Sequence, residues 1–93
     1  MSIKRWAAKR DANERAILEA YERVHAEVVA LPDAPCDLFV GWAGRWVGVE
    51  IKSGSGALTE RQKAFRDRCQ VKGLPFYVIR SVEDALQAIG AIH

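Results

Sequence analysis

Ninety-three residues with a formal charge of +2 make one domain, 1–93, too short for a second core and too weakly basic for bulk charge to require or exclude nucleic acid. About half of the residues are hydrophobic and 28% are charged, which excludes a disordered chain. Cys36 and Cys69 form no CxxC pair and have no histidine cluster beside them, which argues against structural zinc or a redox motif and fits reduced thiols. No apolar run follows the basic start, and nothing approaches the roughly 18 residues that span a bilayer, so a soluble cytoplasmic protein is expected.

Residues 1–10 are basic (Lys4, Arg5, Lys9, Arg10) with one aromatic, Trp6, and fit either an arm or an early helical turn. Asp11-Ala12-Asn13-Glu14 then has the form of a capping box, Asp11 as N-cap and Glu14 at N3, which predicts a helix to about His25. At 100° per residue Ile17, Leu18, Tyr21 and Val24 fall on one arc, with Arg15, Glu19, Glu22 and Arg23 on the other. Glu14 lies inside the apolar arc and is expected to look inward. His25 reads as a packed or dipole-complementing histidine rather than a ligand.

Ala26 to Leu31 is a short β-branched run that predicts an edge or first strand, broken by Pro32-Asp33-Ala34-Pro35. Asp37 to Lys52, DLFVGWAGRWVGVEIK, predicts a β-hairpin with Gly41-Trp42-Ala43-Gly44 as its turn. Ser53-Gly54-Ser55-Gly56 is a connector. Thr59 with Gln62 three residues on forms a second capping box, opening a helix to Lys72 with Gly73 as its C′ residue. Leu74 to Ile79 predicts a fourth strand, and Ser81 caps a last helix through Ile89 with Glu83 and Asp84 in its first turn. The order αβββαβα implies an α/β fold, a mixed sheet with helices on both faces.

A hairpin symmetric about the Ala43-Gly44 bond sets Phe39 opposite Gly48, Trp42 opposite Arg45 and Asp37 opposite Glu50. Glu50 and Lys52 then share one face, and Ile51 points the other way with Val49, Val47, Leu38 and Val40. Two facing carboxylates about 5 Å apart at Cβ destabilise a sheet unless a cation lies between them. A divalent metal ion is the simplest such cation, and a β-bulge that shifted the register would remove the facing.

An acid, then Glu-x-Lys on the next strand, with an inward Glu on the preceding helix, resembles the PD-(D/E)xK nuclease superfamily and, within it, the small stand-alone VRR-NUC domains. The resemblance is carried by Asp11 to Glu14, Asp37 to Gly41, Glu50-Ile51-Lys52, Leu58-Thr59 with Gln62, and Ser81 to Leu86, which extend over nearly the whole chain. In one departure, the family's Pro-Asp stands here as Cys36-Asp37 with Pro35 one place early. The resemblance implies a restriction-endonuclease-like core and a Mg²⁺- or Mn²⁺-dependent endodeoxyribonuclease of bacterial or phage type.

On this resemblance Asp37, Glu50 and the Ile51 carbonyl hold the ion, and Glu14 holds a second ion or a metal-bound water. Lys52 orients or deprotonates the attacking water and stabilises the phosphoryl oxygens, and Gln62 positions the water or a phosphate. Bland roles stand beside these: Glu14 closing its capping box, Glu50 with Lys52 as a plain ion pair, Gln62 as an N3 cap. The basic residues Arg61, Lys63, Arg66, Arg68 and Lys72 spread around their helix, so that only a subset bordering the site is expected to meet phosphate. Arg45 and Trp46 suggest contact with nucleic acid, whereas Trp42, Trp46 and Phe39 fit a subunit interface equally well. The family implies a homodimer acting on branched DNA such as a four-way junction. The alternative is a non-catalytic nucleic-acid-binding module that keeps the fold.

Overall fold

The computed structural model describes residues 12–32 and 35–92, so the basic segment 1–10, the Asp11 cap and His93 lie outside the described residues. Its elements are α1 (Ala12–Arg23), β1 (Glu27–Ala30), β2 (Leu38–Trp42), β3 (Arg45–Ile51), α2 (Glu60–Lys72), β4 (Phe76–Ile79) and α3 (Val82–Ile89). This is the predicted αβββαβα order. The sheet runs β1-β2-β3-β4, antiparallel across the first three strands and parallel between β3 and β4. Among the described residues no helix is long and apolar enough to cross a membrane.

Helix α1 stops at Arg23, two residues short of the expected end, because the chain reverses there. His25 adopts a left-handed conformation, φ 62°. Its N–H donates to the Glu22 carbonyl at 3.0 Å and the Ala26 N–H to the Tyr21 carbonyl at 3.0 Å, which closes the open end of the helix and turns the chain into β1. His25 is exposed, so it is not the packed residue expected, and it closes the helix through its backbone.

The β2–β3 turn is tighter than the four residues expected. Gly41 and Trp42 already pair with Trp46 and Arg45, which leaves Ala43 and Gly44 as a two-residue loop with φ 50° and 83°. Positive φ at both central residues twists the turn in the sense the strands require. The register is the expected one, with Phe39 opposite Gly48 and Trp42 opposite Arg45.

That register decides which side chains meet the core. Leu38, Val40, Val47, Val49, Ile51 and Ile79 share one sheet face and are buried beneath Ile17, Leu18 and Tyr21 of α1 and Ala85, Ala88 and Ile89 of α3. Each fully buried aliphatic side chain contributes roughly 1.5–3 kcal/mol, so a one-residue slip that turned this set outward would forfeit most of the stability of so small a domain. Tyr21 fastens the two helices by donating its hydroxyl to the Ala85 carbonyl at 2.9 Å.

Helix α2 lies against the other face. Thr59 caps it through the reciprocal box with Gln62, and Gly73 ends it in the left-handed conformation, φ 69°. Its packing is thin: Cys69 is buried, and Phe65 meets Phe76 edge to face at 5.2 Å. The connector before it turns at Gly54, whose carbonyl accepts Arg80 Nη1 at 2.9 Å.

Candidate active site

Glu50 is the buried charged residue of the described chain, 3% exposed on the face away from the aliphatic core. Asp37 lies one residue before β2, so the pairing that sets Leu38 against Val49 carries on to set Asp37 against Glu50. The two carboxyls are neighbours close enough for the Asp37 charge to act on Glu50, the facing that the plain-turn register implied. Asp37 Oδ2 also accepts the Ile51 N–H at 2.8 Å, and the Asp37 carbonyl accepts the Leu31 N–H at 2.9 Å, so its backbone and side chain are both tied to neighbouring extended chain.

Burial, and then the adjacent Asp37 charge, push the Glu50 carboxyl from its ordinary range up to about 7, while Lys52 pulls the other way. The Lys52 ammonium stands 3.7 Å from Glu50 Oε2, on the shared face that strand alternation predicts. The Ile51 N–H, by its bond to Asp37, fixes the peptide between them.

Gln62 closes the capping box and also reaches Glu50. Its Oε1 accepts the Thr59 N–H at 2.8 Å and its N–H donates to Thr59 Oγ1 at 3.2 Å, while Nε2 donates to Glu50 Oε2 at 2.7 Å. The helix cap thus sets the angle from which the amide reaches the acid. No sequence pattern distinguishes an N3 glutamine that does this from one that only caps.

Cys36, in the place of the expected proline, is a packing residue. It is 2% exposed, its Sγ lies 3.4 Å from the Leu38 carbonyl, and burial raises the thiol to about 11. Glu14 occupies the first turn of α1 with Oε2 buried, on the helix that packs against the opposite sheet face. Among the described residues no three acidic, histidine or cysteine side chains form a metal-holding group, so Glu14 does not join Asp37 and Glu50 in one.

Asp37 and Glu50 sit in a cleft of about 550 Å³ between the Pro32 and Pro35 segments and the first half of α2. Helix α2 presents Arg61, Phe65 and Arg68 to it, at i, i+4 and i+7. The Arg68 guanidinium lies 5.6 Å from the centre of the Phe65 ring. Of the five basic residues of α2 these two arginines line the cleft, whereas Lys63 pairs with Glu60 and Arg66 with Asp67 on the surface. The stripe was readable from its spacing but was masked by the basic residues interleaved with it.

The hairpin aromatics divide. Trp42 packs on the core side and donates Nε1 to the Val24 carbonyl at 3.0 Å, and it meets Trp46 only at a shallow pocket by the hairpin turn. Arg45 donates Nη2 to the Ala88 carbonyl at 3.2 Å and braces α3. Val29, Phe39 and Trp46 remain exposed together on the face that carries Glu50, the Trp46 ring lying across Gly41.

Compared with models of protein families, with curated proteins and with solved structures, the chain matches none.

Proposed function

We propose that the cleft is the active site of a divalent-metal-dependent endonuclease that hydrolyses DNA phosphodiesters, with a preference for branched or junction DNA. The observation that carries the reading is that Asp37 faces Glu50 across the hairpin, with Glu50 buried and the Lys52 ammonium beside it. A fold gains nothing in stability from crowding two acids into a partly buried site. The donor set fits Mg²⁺ or Mn²⁺: hard oxygens only, in a pair whose mutual repulsion an added double charge relieves.

Asp37 and Glu50, with the Ile51 carbonyl, would hold the ion. When bound, such an ion supplies neutralisation of the phosphate and a more acidic water. The chain's own groups do the rest. Gln62 and the Ile51 N–H hold the two carboxyls in place, so that little reorganisation is needed when substrate arrives. The Lys52 ammonium offsets negative charge on the non-bridging oxygens as water adds to phosphorus and the P–O bond to the leaving oxygen breaks. Arg61 and Arg68 border the cleft where flanking phosphates would lie.

The same reading includes a homodimer, with the exposed Val29, Phe39 and Trp46 surface as the face a second copy covers. Incubation of supercoiled plasmid and of a four-way junction with Mg²⁺, with Mn²⁺ and with EDTA tests the function. Cleavage that needs metal is expected. Binding with no cleavage under any metal would instead assign the chain to non-catalytic nucleic-acid binding.

A further inference from the structure

We infer that the cleft seats a single unpaired nucleotide, with the base set against the Phe65 and Arg68 pair and its phosphate toward Asp37 and Glu50. The inference rests on the proposal that this cleft acts on DNA and adds what part of DNA enters it. Volume decides first. About 550 Å³ is the size of a small-ligand site and holds one nucleotide, not a stretch of double helix. A base still paired in its stack cannot reach the interior of such a cleft, so a base that enters has left the helix.

The lining decides second. A site that gripped backbone alone needs only positive charge, and Arg61 and Arg68 supply it. This cleft also has apolar walls beside the acids, made by Phe65, Leu31, Pro32 and Pro35. Phosphate and sugar have no use for these walls, whereas a base does. Arg68 lies over the Phe65 ring, 5.6 Å from its centre, so the helix offers an aromatic ring and a guanidinium side by side, the two kinds of group on which unstacked bases rest. Phe65 is itself buttressed edge to face by Phe76 of β4, which fixes the platform relative to Glu50 on the neighbouring strand. Stacking tolerates any base, so the seat selects for an unpaired position and not for sequence.

Fluorescence of 2-aminopurine tests this. The base is placed once in a DNA duplex, either paired or as a single unpaired bulge, and titrated with the protein in EDTA, where nothing is cut. The wild-type protein is expected to bind the bulged DNA about tenfold or more tightly than the paired DNA and to change the fluorescence of the bulged base alone. Phe65→Leu, which keeps an apolar side chain but loses the ring, and Arg68→Ala, an exposed change that leaves the packing alone, are each expected to reduce the preference severalfold. Phe65→Trp is expected to keep it. Equal binding of the two DNAs, or an undiminished preference in Arg68→Ala, overturns the seat. The two readings fail separately. Preference for the bulge with no cleavage in any metal sinks the nuclease and leaves the seat, while metal-dependent cutting of paired DNA without the preference does the reverse.

Discussion

Asp37 Oδ2 accepts the Ile51 N–H at 2.8 Å, so one carboxylate both faces Glu50 and satisfies the backbone of the strand that carries it. The structural and chemical roles separate by substitution. Asp37→Asn retains an oxygen for the Ile51 N–H, and its stability in urea is expected to stay near wild type. Asp37→Ala leaves that N–H unpaired and is expected to cost about 1–3 kcal/mol. Both are expected to lose cleavage of supercoiled DNA in Mg²⁺, because neither retains the negative charge.

Stability in the metal-free protein should respond to Glu50. Its folded value, about 7, is above its ordinary 4.5, so the folded protein binds the proton more tightly than the unfolded chain does. The contribution is therefore fully present below about 4.5 and is lost as pH rises through about 7. Its size is roughly 3 kcal/mol. Glu50→Gln, which imitates the protonated acid, is expected to match wild type in EDTA at pH 4.5 and to exceed it in melting temperature at pH 8. A gap that does not change with pH contradicts the raised pKa of Glu50.

Much of this was legible in the sequence because it rests on parity and punctuation. The alternation from Leu38 to Ile51 fixed which side chains are buried, and the capping patterns at Thr59 and Ser81 marked where the helices begin. What escaped was the conformation of single residues and the direction of long side chains. His25 and Ala43 take positive φ without being glycine, so neither α1's end nor the left-handed backbone at Ala43 was signalled. Arg45 and Arg68 look alike as sequence, yet one braces α3 and the other lies on Phe65.

Gln62 provides a third prediction. Gln62→Glu keeps the N3 side chain that closes the capping box but sets a third carboxylate against Glu50. Gln62→Ala loses both bonds, at about 1 kcal/mol for the cap. If the glutamine serves the acid as well as the helix, Gln62→Glu should fold and yet lose at least as much cleavage as Gln62→Ala. Cleavage that merely tracks stability in the two variants would reduce it to a cap.

Among the described residues, the two non-glycine positions with left-handed backbone should yield stability when replaced. Ala43→Asn supplies the residue that a turn of this kind favours before glycine, and His25→Gly removes a side chain from a position that strains it. Each is expected to add about 0.5–1 kcal/mol in urea unfolding, with cleavage unchanged. A loss of stability in Ala43→Asn would speak against the two-residue turn, and with it the register that brings Asp37 to Glu50.

The most direct measurement is nicking of supercoiled DNA in Mg²⁺ or Mn²⁺ by the wild type beside Asp37→Ala, Glu50→Ala and Lys52→Ala, each first shown to be folded by circular dichroism. Each substitution is expected to slow nicking by about a hundredfold or more. Nicking at the wild-type rate by any one of the three folded variants would contradict the catalytic role of that side chain and of the charge cluster built around it.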